Sequence, residues 1–200
     1  MKVLFATAAV LLLAAIAFGQ EMIIPKNEVS IWGGFSRDSS TAIRAFGRTR
    51  DARFGILSVR YSRRFHNSDK VNLKYVADLT PLAVLDFRIP SSSLTDRRTA
   101  YGFGAAPLGI QANFRPAGKL QPFVGLTGGM LYFDKQVPGP LGTHFQFTAN
   151  VDAGVEVRLH GKRAFTMGYK YFHVSNGNRG IINPGIDNNL VYIGYTIFGK

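Results

Sequence analysis

Two short segments near the C-terminus hold the side chains best suited to chemistry. They are Tyr171-Phe172-His173-Val174-Ser175-Asn176-Gly177 and, after a polar interval, Ile182-Asn183-Pro184-Gly185-Ile186-Asp187. A serine hydroxyl is a weak nucleophile until a base within hydrogen-bond reach takes its proton, and that base needs an acid to orient it. His173, Ser175 and Asp187 are those three residue types. Side chains two apart on an extended chain share a face, so His173 and Ser175 project together. A lone histidine at a strand end is an ordinary interfacial residue, and Ser-Asn-Gly alone is an ordinary loop opening. The chemistry therefore depends on the elements that carry these residues. The other histidines, His66, His144 and His160, fall in turns or at a strand start and read as structural. No spacing among histidines and acids suggests a metal site, so neither a metal nor a cofactor is expected.

The clearest element runs over 143–160. Phe145, Phe147, Ala149, Val151, Ala153, Val155, Val157 and Leu159 alternate there with polar or small residues, a period of two with one apolar face. Soluble sandwiches use strands of about 5–6 residues, whereas a barrel crossing a bilayer needs roughly 9–11 tilted residues with alternating faces. The apolar face then meets lipid and the polar face lines an interior. Weaker versions of the pattern occupy 27–36, 53–65, 71–85, 99–114, 119–133, 163–174 and 188–198, which makes eight strands in all. On the strand over 163–174, His173 shares the face of Phe165, Met167, Tyr169 and Tyr171, the face expected to meet lipid. On the last strand Asp187 has the parity of lipid-facing Val191, Ile193, Tyr195 and Ile197. A serine and a histidine outside a barrel suit an enzyme whose substrate approaches sideways through the membrane.

The links alternate in length. Residues 66–70, 115–118 and 161–162 form short turns, and 37–52, 86–98, 134–142 and 175–187 form longer loops. An outer-membrane barrel has short periplasmic turns, longer extracellular loops, an even strand count and no free edge. The N-terminus fits export: Lys2, an apolar stretch from Val3 to Phe18, and Ala17-Phe18-Gly19 ahead of Gln20-Glu21 read as a signal peptide over 1–19. The barrel is then expected over 20–200. The chain closes on Leu190 to Phe198, a terminal strand of the kind barrels use for insertion, although Gly199 and Lys200 follow the aromatic residue. The chain has no cysteine, so a disulfide framework is excluded. A formal net charge of +12 favours an anionic partner, and export points to phosphorylated lipid rather than nucleic acid. Loop cations Arg37, Arg44, Arg48, Arg50, Arg53, Arg97, Arg98 and Arg179 are suited to phosphate groups. Asp152, Glu156, Arg158, Arg60 and Arg64 are expected to plug the interior, since eight strands leave room only for side chains.

The motif His-x-Ser-Asn (His173, Ser175, Asn176), followed by Asn-x-Gly (Asn183, Gly185) and an acid two residues later, resembles the lipid A 3-O-deacylases, eight-stranded outer-membrane enzymes. The strict motif covers about fifteen residues, and the strand plan extends the likeness over the mature chain. The resemblance implies His173 as general base, Ser175 as nucleophile and Asp187 as the acid. It also implies Asn176, Asn183 and Gly177 as residues that build or position an oxyanion hole. The family's best-known member has glutamate where this chain has Asp187, one methylene shorter. The resemblance further implies a serine esterase acting on lipid A of lipopolysaccharide in the outer leaflet of the bacterial outer membrane, without a cofactor. Its partners would be lipid A and membrane lipid, with a homodimer left open. The rival readings are a phospholipase of the same fold and a non-catalytic structural or adhesion barrel.

Overall fold

The computed structural model describes residues 26–39, 43, 45–89, 97–160 and 162–198. The expected leader over 1–19 and the loop cation Arg44 lie outside these residues. The strands follow in chain order: β1 (Asn27–Ser36), β2 (Arg53–Asn67), β3 (Val71–Arg88), β4 (Arg97–Phe114), β5 (Leu120–Val137), β6 (Thr143–Arg158), β7 (Arg163–Ser175) and β8 (Ile186–Phe198). Each is antiparallel to the next, and β1 pairs with both β2 and β8, so the sheet closes into an eight-stranded barrel. Closure satisfies every strand edge, which lipid demands of a spanning sheet.

β1 keeps the bounds read from the sequence, and the other strands differ at their ends. β3, β4, β5, β7 and β8 all run further toward the long loops than alternation indicates. There the backbone ladder continues through polar residues, with Asp86 opposite Arg53 and Thr99, and Arg88 opposite Arg97. Ladder bonds need no apolar face, so the pattern fades before the strand does. Arg97 fastens this crown: it donates 3.0 Å bonds to the Asp51 carboxylate and carbonyl and also pairs with Asp86. Arg88 beside Asp51 holds that carboxyl below its ordinary value.

Outward residues make an apolar belt that includes Val29, Ile31, Leu57, Val59, Leu79, Leu126, Val151, Met167 and Ile193, all exposed. The interior is layered, which corrects the expectation of a polar lining throughout. Below the long loops it is apolar: Phe54, Leu85, Phe87, Leu131, Phe133, Phe172, Val174, Ile186 and Leu190 are buried together. Strands such as β2 and β3 therefore carry apolar residues on both faces at that end, and alternation weakens there. Toward the short turns the interior is charged. Arg60 grips both oxygens of Asp78 at 2.7 and 2.9 Å, and Lys170 lies 3.1 Å from Asp152. Glu28 accepts from Lys74 at 2.6 Å and Arg64 at 3.2 Å, while Arg158 pairs with Glu156 at 3.1 Å. The five residues expected as a plug are thus buried in ion pairs, together with Glu28, Lys74, Asp78 and Lys170. One interior cavity of about 30 Å³ lies among Glu28, Arg60, Glu156 and Tyr192, the room of a water molecule.

Candidate active site on the outer wall

The ladder between β7 and β8 sets His173 directly opposite Asp187. Both side chains have outward parity, and the imidazole Nδ1 lies 2.6 Å from Asp187 Oδ1. With Nδ1–H donating to the carboxylate, Nε2 is left as the acceptor, the form that can take a proton from a hydroxyl. Asp187 is fully buried although it faces outward, because the loop between β1 and β2 folds down over it. Its Oδ2 accepts from the backbone amides of Phe46 at 3.0 Å and Gly47 at 2.8 Å. A desolvated carboxylate is stable only when it is hydrogen-bonded, and the imidazole and these two amides supply three donors.

Gly47 is required by this close approach. A Cβ at that position would stand 2.6 Å from the Asp187 amide nitrogen and 2.8 Å from its carboxyl group. The loop is tied to the last loop by Arg48 N–H to the Pro184 carbonyl at 2.6 Å and Thr49 N–H to the Gly185 carbonyl at 3.1 Å. Gly185, at φ +63°, packs against the imidazole, and a Cβ there would sit 2.9 Å from His173 Cε1. Phe46 meets the imidazole edge to face at 5.7 Å. Sequence reasoning missed Phe46 and Gly47. They lie about 140 positions from Asp187, in a loop with no periodicity, and Ala45-Phe46-Gly47 matches no motif.

Ser175 ends β7 on the same outward side, opposite Phe147 of β6, and is half-buried. Two residues along a strand span roughly 6.6 Å. Among the described residues its hydroxyl makes no hydrogen bond to the imidazole, as is common before a substrate tightens such a site. The chain turns sharply beyond it through Gly177 (φ +61°) and Asn178 (φ +61°). The three residues expected around an oxyanion hole meet here. Asn176 N–H donates to Asn183 Oδ1 at 3.0 Å, Asn176 Nδ2 donates to the Ile182 carbonyl at 2.7 Å, and Asn183 Nδ2 donates to Asn178 Oδ1 at 3.1 Å. The two asparagines therefore brace the loop through each other and leave the Gly177 turn beside Ser175.

The other candidates are scattered. His144 has Nδ1 2.9 Å from the Phe133 carbonyl and stacks on Tyr132, away from His173. Arg97 is committed to the crown. Arg179 lies over the Phe145 and Phe147 rings at 5.6 and 5.0 Å, next to Ser175, and Arg37, Arg48, Arg50 and Arg53 are exposed.

A closed eight-stranded barrel with an apolar outer belt and a histidine–carboxylate pair on its outer wall defines an outer-membrane barrel with a lipid-facing polar site. The family model for lipid A 3-O-deacylase (PagL) matches residues 57–196, and the chain belongs to that family. No curated protein matches it. Among solved structures it is similar to the outer membrane enzyme PagL, at 15% identity over 86% of this chain and 98% of that one, with a TM-score of 0.53. Neisserial surface protein A (12% identity, 86% and 96% covered, TM-score 0.48) and OprG from Pseudomonas aeruginosa (16%, 88% and 98%, 0.43) are also similar. At such identities these likenesses concern the fold. The chain is a bacterial outer-membrane β-barrel.

Proposed function

We propose that this chain is a serine esterase that removes the ester-linked acyl chain at the 3-O position of lipid A, with the long loops and the site at the outer leaflet. The observation that carries the reading is the His173–Asp187 pair, held by two amides on the lipid-facing wall of a barrel whose family is that of lipid A 3-O-deacylases. His173 Nε2 takes the Ser175 proton as Oγ attacks the ester carbonyl carbon. The oxyanion faces the Gly177 turn, whose amide donates no hydrogen bond among the described residues. Collapse breaks the ester C–O bond, and His173 returns the proton to the departing sugar oxygen. Water, deprotonated by His173, then attacks the acyl-serine and releases the fatty acid, restoring Ser175. Asp187 stabilises the imidazolium in both halves. Exposed Arg179 beside Ser175 is suited to a lipid A phosphate.

The test is mass spectrometry of lipid A from cells expressing the chain or its Ser175→Ala form. Loss of one hydroxyacyl mass with the first and not the second is expected. Cleaved phospholipid with intact lipid A favours a phospholipase instead, and no change in either lipid favours a non-catalytic barrel.

A further inference from the structure

Beside the imidazole the outer wall carries small side chains. The ladder sets Leu108 of β4, Gly128 of β5, Ala149 of β6 and His173 of β7 in one cross-strand row. The neighbouring row toward the short turns is Ile110, Leu126, Val151 and Tyr171, and the row toward the loops is Met130, Phe147 and Ser175. Two bulky rows thus flank a row whose middle members are glycine and alanine. The result is an apolar trench of about 400 Å³ that starts at His173 beneath Phe46 and runs around the barrel to Leu108. A Cβ on Gly128 would meet only the Thr148 carbonyl oxygen, at 3.9 Å, so the glycine is not required by packing; it leaves the trench open. Leu108, 72% exposed, stands at the far end of the row.

We propose that this trench binds the acyl chain of the ester to be cleaved, and that Gly128 and Leu108 set the chain length accepted. The inference rests on the esterase reading and names the place of its substrate's tail. Continuity with the site identifies the occupant as an acyl chain: the trench shares its row with His173, and Ser175 stands in the adjoining row toward the loops, so a carbonyl held at Ser175 Oγ lays its hydrocarbon tail along it. Three strand-to-strand steps of roughly 4.8 Å span about 14 Å. That length suits an extended chain of about twelve carbons, at the ~1.3 Å advance per ~1.5 Å bond of a staggered chain, so a decanoyl chain fits within it and a palmitoyl chain overruns it. The tail would lie across the strands, inclined to the bilayer plane by the strand tilt of about 35–45°, replacing bulk lipid against the wall.

The experiment uses the full chain in detergent with butyrate, decanoate and palmitate esters of p-nitrophenol. Gly128→Leu is expected to lower the decanoate-to-butyrate ratio of kcat/KM at least about tenfold, equivalent to ~1.4 kcal/mol. Leu108→Ala is expected to raise the palmitate-to-decanoate ratio. Val124→Leu, an outward change on β5 off the trench, should leave both ratios as in the parent. Equal scaling of all three esters by Gly128→Leu overturns the proposal. A second measurement holds even if no ester is hydrolysed, which would sink the esterase reading alone. A decanoyl ester of glucosamine with a diazirine at its tail is photolysed on Ser175→Ala protein. Labelling of the Leu108 and Gly128 peptides, lost in Ser175→Ala/Gly128→Leu, supports the trench. Labelling spread evenly around the barrel, or unchanged by the added leucine, overturns it.

Discussion

His173, Ser175 and Asp187 differ in how firmly the protein holds them, and that difference predicts how their variants rank. Members of a catalytic unit lose activity together, so Ser175→Ala and His173→Ala should each cost several orders of magnitude in turnover, and the double variant little more. Both should fold, because each side chain faces outward. Asp187 orients the imidazole without reacting, so Asp187→Ala should keep more turnover than either. Asp187→Glu supplies one more methylene, but it should fall below the parent here. The space an extra methylene would need is filled by the Phe46 and Gly47 amides at 3.0 and 2.8 Å. The shorter acid and the loop above it form a matched pair. Steady-state hydrolysis of purified lipid A checks the order; Asp187→Glu at or above parental turnover would show that the loop does not restrict the acid.

The element that completes the site is the loop between β1 and β2. Gly47→Ala should push the amides off Asp187, and a displacement of the order of 1 Å in catalytic geometry can cost about a hundredfold in rate. The loss should appear in kcat. It should vanish in an Asp187→Ala background, where nothing remains to be held; equal losses in both backgrounds would mean general damage to the fold. Phe46→Ala keeps both amides and should cost less. This loop is also where sequence reading stopped. The strands were legible because a lipid-facing wall imposes a period of two, most cleanly from Phe145 to Leu159, and His173, Ser175 and Asp187 were legible because strand parity put them on that wall. Nothing local marks Phe46 or Gly47, whose role comes from a contact across about 140 residues. The extra length of β3 and β5 was hidden for a related reason: near the loops the extended backbone continues through Asp86 and Asp134 without the alternation. The apolar layer of Phe54, Leu85 and Phe133 was hidden because those strand ends are apolar on both faces.

At the scale of the whole molecule the barrel separates its tasks along its axis. The candidate site sits on an apolar layer at the loop end, and the charged network fills the other end. Glu28 is the hub of that network, 4% exposed and bonded to Lys74 and Arg64 from β3 and β2. Removing one partner of a buried ion pair leaves the others uncompensated, at a cost of about 3–5 kcal/mol. Glu28→Ala should therefore lower the urea midpoint of the folded barrel in detergent by that equivalent. The transition can be followed by the faster gel migration of unheated, closed barrel and by its β-type far-ultraviolet spectrum. Glu28→Gln keeps the volume and an acceptor oxygen and should lose less. Because the apolar layer lies between Glu28 and His173, kcat/KM of the folded Glu28→Ala fraction should match the parent. A variant equally stable but slow would mean that the charged interior is coupled to the outer wall, and the division along the axis would fail.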